Sequence, residues 1–137
     1  MSDRTLIVWF RCDLRLADHP ALRFALDHAT QTLPVFIWGP DEEEPWPPGA
    51  ASRWWLHHSL CRLREALEQK GSRLIVRRGR ACDAFLQLCR ETGAHGVCWN
   101  RRYEPAVRDR DRRVEAALAS HGPSVTSRAG PLRHATD

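Results

Sequence analysis

The feature that most constrains this chain is an alternation. Short apolar runs of four to seven residues take turns with longer stretches patterned at the helical period. "TLIVWF" (5–10), "TLPVFIW" (32–38), "RLIVR" (73–77), "GVCW" (96–99) and "SVTS" (124–127) read as strands. The first is apolar at nearly every position, as a strand is when both faces of its sheet are covered. Pro34 weakens the start of the second, because proline cannot donate to a ladder. The last is short and weakly patterned.

Between the runs lie four helical stretches. The first follows Asp18, an expected N-cap, with Pro20 in its first turn and Ala21, Leu22, Ala25 and Leu26 as its apolar stripe. The second spans Ser52 to Lys70. Leu56, Leu60, Leu63 and Leu67 recur there at spacings of four, three and four, and Gly71 ends it. The third covers 80–92, with Ala84, Phe85, Leu88 and Cys89 inward and Gly93 as its stop. The fourth runs from Pro105 to about His121, with Val114, Ala117 and Leu118 inward.

The order βαβαβαβαβ implies an α/β fold: a doubly wound, Rossmann-like, five-stranded parallel sheet with helices on both faces. At 137 residues the chain has the length of one domain. The expected division is a domain over 1–127 and a frayed tail, or the start of a linker, over 128–137.

Charge and cysteines narrow the classes. The net charge is +4, and Lys70 is the sole lysine among 21 basic residues. The arginine runs 77–80, 101–102 and 108–113 sit on separate elements, where a nucleic-acid footprint needs one face. The run "RDRDRR" (108–113) reads as a solvated helix face with intrahelical ion pairs. Five cysteines, with no Cys-x-x-Cys pair, argue against a disulfide framework and a zinc site. His57 and His58 are adjacent and do not form an i, i+4 metal pair. No apolar stretch reaches membrane-span length and no signal-peptide pattern opens the chain, so a cytoplasmic location is expected.

A parallel sheet of this kind binds ligands outside the carboxyl ends of its strands. The loops there are 11–17, 39–51, 78–80 and 100–104. Candidate binding residues on or beside them are Arg11, Trp38, Gly39, Arg53, Asn100, Arg102 and Glu104. Each segment also has a structural reading. Asp13 and Arg15 can pair to hold the first turn, Ser52 and Glu104 can cap helices, and Asn100 can satisfy loop backbone groups. No phosphate loop, G-x-G-x-x-G, nucleophile elbow or H-E-x-x-H is present. A response-regulator receiver is excluded, because no lysine follows the fifth strand.

Three ordered segments resemble the DNA photolyase and cryptochrome family: "IVWFRCDLRLADHPAL", "ASRWWLHHSLCRLREALEQKGSRLIVRRG" and "VCWNRRYEPAVRDRDRRVEAAL". The resemblance runs from about Leu6 to Ser127 and covers that family's N-terminal α/β domain. It implies an antenna chromophore (a folate, a deazaflavin or FMN). A larger helical domain of the family holds FAD and reads the pyrimidine dimer. That domain lies outside this sequence, so no FAD and no repair activity (the family's deoxyribodipyrimidine photo-lyase reaction) are expected of this chain alone. DNA would be met only indirectly, and the helical domain is the implied partner. A surface facing it would leave self-association open.

By the same resemblance, Arg53 and Glu104 match positions lining a deazaflavin antenna pocket. Gly39 and Arg102 stand where those members carry acidic residues. Ala106 and Val107 stand where a folate-type member has an Asn-Glu pair. Arg11, Arg53 and Arg102 suit an anionic ligand. The alternatives are a stand-alone flavin- or nucleotide-binding module and a weak, basic nucleic-acid-binding domain.

Overall fold

Five strands rich in β-branched and aromatic residues form one wholly parallel sheet. In the computed structural model, residues 4–11, 14–38, 53–101 and 105–129 are described. The elements are β1 (Thr5–Phe10), α1 (Pro20–His28), β2 (Gln31–Trp38), α2 (Arg53–Gln69), β3 (Ile75–Arg78), α3 (Ala81–Thr92), β4 (Gly96–Arg101), α4 (Pro105–Ser120) and β5 (Ser124–Ala129). The strand order is β3-β2-β1-β4-β5. The chain winds outward from β1 in one direction and then returns to build the other half. Strand order therefore reverses between β1 and β4.

Side chains alternate across a strand, so the two faces of the sheet make two cores. Ile7, Trp9, Val35, Ile37, Val97 and Trp99 meet α3 and α4 through Ala84, Phe85, Leu88, Val114 and Leu118. Leu6, Val8, Phe10 and Cys98 meet α1 and α2 through Ala21, Leu22, Ala25, Leu63 and Leu67. Trp9 anchors the first core. It packs edge-on to Phe85 at 5.0 Å and to Trp99 at 5.3 Å.

The expected α/β architecture holds, with local differences. Pro34 lies inside β2, paired in register with Val8. The β3 ladder starts only at Val35, so at Pro34 there is no bond to lose on that side. The N-cap of α1 is His19, whose Nδ1 accepts from Leu22 N–H at 3.1 Å, and not Asp18. Asp18 instead takes a positive φ of 52° in the turn before the helix. Leu26 is 59% exposed and does not continue the α1 stripe. On α4 the residues Arg110 and Asp111 are buried. "RDRDRR" is thus only partly solvated. Asp109 and Arg112 keep the expected i, i+3 pair, at 3.7 Å. The fifth strand runs to Ala129, two residues into the expected tail, and the loop 39–51, Ser52 and residues 130–137 lie outside the described residues.

Candidate functional site at the carboxyl edge of the sheet

Arg11 is the first residue after β1, so the sheet delivers it to the point where strand order reverses. Its side chain is 2% exposed. Nη1 donates to both carboxylate oxygens of Asp111, at 2.8 and 2.9 Å, and Nη2 donates to the carbonyl of Asn100. The guanidinium also lies over the ring of Trp9, with Cζ 4.7 Å from the centroid. Arg110 covers the same ring at 5.0 Å and reaches Asp111 Oδ1 at 3.5 Å. One carboxylate and the electron-rich face of an indole thus hold two buried cations. The three elements β1, β4 and α4 are tied together at their shared end.

The start of α1 is closed in the same region. The first amides of a helix have no intrahelical partner and form a ready anion site. Here each is spoken for. Pro20 has no N–H. Ala21 N–H donates to Asn100 Oδ1 at 2.8 Å, Leu22 N–H to His19 Nδ1, and Arg23 N–H to the His19 carbonyl at 3.0 Å. Asn100 therefore serves two neighbours, with its side chain on α1 and its carbonyl on Arg11. Arg15 holds the preceding turn through the carbonyls of Ala17 and Asp18, at 3.0 and 3.2 Å.

The opposite flank of the edge carries the end of β2 and the start of α2. Trp38 ends β2 and shares a face with Phe36, whose strand partner is Phe10 on the α1/α2 side. Trp38 is 37% exposed, and its carbonyl is fixed by Gly79 N–H at 3.0 Å. Arg53 opens α2 at the same edge. Trp54, 71% exposed, stacks on His58 at 5.0 Å and 7°. Gly39, Arg102 and Glu104, with Asp13, lie outside the described residues.

Beyond α4, a cleft of about 190 Å³ opens beside β4 and β5, lined by Arg101, Arg108, Arg112 and Glu115 among others. Arg101 is steadied there by the Ser127 carbonyl at 3.3 Å.

Of the residues expected from sequence, Arg11 and Asn100 come together, whereas Trp38 and Arg53 belong to the other flank. The structure adds Trp9, Arg110, Asp111 and His19 to them. A signal for two of them existed. Extending the α4 stripe backward from Leu118 and Val114 at helical spacing lands on Asp111, Arg110 and Val107, all buried.

Comparison with known proteins decides the family. The DNA photolyase family profile matches residues 6–136. The chain belongs to that family. It is 43% identical over 129 residues to a deoxyribodipyrimidine photo-lyase of Agrobacterium fabrum, covering 94% of this chain and 26% of that protein. It is 44% identical over 131 residues to cryptochrome-2 of Arabidopsis thaliana, covering 95% of this chain and 21% of that protein. Among solved structures, a class III photolyase from Agrobacterium tumefaciens superposes with a TM-score of 0.85 at 41% identity, over 95% of this chain and 26% of that one. An archaeal photolyase from Sulfolobus tokodaii, described with two FAD molecules that imply a novel light-harvesting cofactor, superposes with a TM-score of 0.78 at 26% identity. It covers 91% of this chain and 29% of that one.

The chain thus spans about a quarter of the length of these relatives and corresponds to the N-terminal α/β domain of the family. Among the described residues, no helix of this photolyase-family domain is long and apolar enough to cross a membrane.

Proposed function

We propose that this photolyase-family domain is a light-harvesting module. It holds a conjugated antenna chromophore at the carboxyl edge of the sheet and supplies excitation to a flavin carried by a separate helical domain. Repair of pyrimidine dimers is a property of the whole protein. The observation that carries the reading is the contrast between the two flanks. The reversal point is filled by Arg11, Asp111 and Asn100, whereas Trp38 is accessible where β2 ends and α2 begins.

The donor set fits a flat aromatic ring with an anionic tail. Trp38 offers an apolar ring face, and Arg53 offers a guanidinium suited to phosphate. Gly39, Arg102 and Glu104 border the same edge in sequence and are the further candidate contacts. Arg11 and Asn100 stand behind them as braces that keep β1, β4, α1 and α4 in place. When bound, the chromophore supplies absorption of light. The protein's own residues hold it, orient it and exclude water from its ring.

FMN is the favoured occupant over a folate, because Val107 is apolar and buried where the resemblance puts half of a polar Asn-Glu pair. The test is a titration of the purified chain with FMN, a deazaflavin and methenyltetrahydrofolate, read by chromophore fluorescence and visible absorption. FMN should bind, and Trp38→Ala should weaken it about tenfold, a loss near 1.4 kcal/mol. Binding of none of the three, or FMN binding indifferent to Trp38→Ala, would overturn the assignment. Stoichiometric FAD retained through purification would also contradict it.

A further inference from the structure

On α2, His57 and Cys61 sit one helical turn apart. His57 is exposed and Cys61 half-buried. His57 Nε2 and Cys61 Sγ share a hydrogen bond at 3.6 Å. Residues four apart on a helix project from the same side, so the regular α2 backbone sets this approach.

The separation has a chemical meaning. A tetrahedral zinc-type ion takes thiolate sulfur at about 2.3 Å and imidazole nitrogen at about 2.0–2.1 Å. At a tetrahedral angle, those two bonds place sulfur and nitrogen about 3.6 Å apart. The hydrogen-bonded separation matches the bite of such a chelate, in which the ion would replace the shared proton.

We propose that His57 and Cys61 form a two-point chelate for a borderline divalent cation of the zinc class. One thiolate and one imidazole select zinc, cobalt or copper over the oxygen-seeking magnesium and calcium. Among the described residues no group of three such ligands gathers, so water completes the coordination. On binding, a metal–sulfur and a metal–nitrogen bond form, and four of the six metal–water bonds of the aqua ion break as it becomes tetrahedral with two waters kept. The thiol proton leaves to solvent, and no oxidation state changes. The accessibility of His57 gives the ion a path from solvent. His58 takes no part, since its ring is stacked on Trp54.

Cobalt(II) is the probe. Titrated into the reduced full chain, it should raise a sulfur-to-cobalt charge-transfer band in the near ultraviolet. One proton should be released for each ion bound, and zinc should then abolish the band by displacement. Cys61→Ser and His57→Ala should each remove the band, with far-ultraviolet circular dichroism reporting that the helices are intact. Cys89→Ser and His58→Ala should leave it unchanged. A band that survives in Cys61→Ser or in His57→Ala, or its absence in the unaltered chain, overturns the chelate.

Discussion

Arg11 carries its charge to a place that water does not reach. At 2% exposure its energetics differ from those of a surface ion pair, which contributes roughly 0–1 kcal/mol. Its carboxylate partner also serves Arg110, so removing that partner takes the shared counter-charge from two buried cations beside Trp9. Breaking a buried pair from one side costs about 3–5 kcal/mol, and Asp111→Ala should fall in that range by urea unfolding. Arg11→Met with Asp111→Leu should cost clearly less than the sum of the single changes, because the two residues share one network. A cost for Asp111→Ala near that of an exposed pair would refute the bracing role. Cys89 gives a second prediction at this scale. Burial raises its thiol above the ordinary 9.0. The folded chain therefore keeps a proton that the unfolded chain has lost, and the unfolded state binds fewer protons. Stability must fall as pH rises past the ordinary thiol value and through the folded one. Cys89→Ala should flatten that alkaline slope in urea midpoints measured between about pH 8 and pH 10. An unchanged slope would mean that other groups produce it.

At the scale of elements, β4 depends on a residue with no side chain. Gly96 lies between Leu6 on β1 and Ser124 on β5. A Cβ built there would collide with Ser124 Oγ, lie 2.9 Å from the Ser124 carbonyl oxygen and 3.2 Å from Leu6 Cδ2. The hydroxyl can rotate away, but the carbonyl belongs to the β5 backbone. Gly96→Ala should therefore destabilise by about 1–3 kcal/mol, as overpacking does. Hydrogen exchange should show faster opening of β5 amides than of β2 amides, and uniform opening would argue against a local clash. The elements themselves were legible in the sequence, because apolar runs and helical spacing are imposed by the two cores. What was not legible arises from contacts between distant elements. Asp18 has the chemistry of an N-cap, yet His19 takes that place, because its ring packs on Phe10 at 4.6 Å and its Nδ1 reaches Leu22. Leu26 has the hydropathy of a core residue and lies on the exposed side of α1. Arg110 and Asp111 have the hydropathy of solvent, and only the meeting of β1 with α4 gives them buried partners. Trp38 and Arg53 could be assigned to the carboxyl edge from topology alone. Their separation from Arg11 and Asn100 required the strand order.

At the scale of the whole molecule, the strand order creates a crevice between β1 and β4, where a doubly wound sheet usually admits its ligand. This chain fills that crevice with its own charges. The amides that would greet a phosphate there already hold Asn100 and His19. A ligand must then be recognised on the β2/α2 flank, through ring contact with Trp38 and the cationic start of α2. This gives a spatial prediction independent of affinity. In nitrogen-15 spectra, added FMN should perturb the Trp38 and Trp54 indoles and the first turn of α2. The Ala21, Leu22 and Arg23 amides and the Trp9 indole should hardly move. Pyrophosphate alone should leave all four of those signals in place, because no amide at the start of α1 is left to donate to it. Shifts centred on Ala21 to Arg23 would mean that the ligand displaces Asn100 and opens the reversal point. The Arg11–Asp111 pair would then be a gate and not a brace.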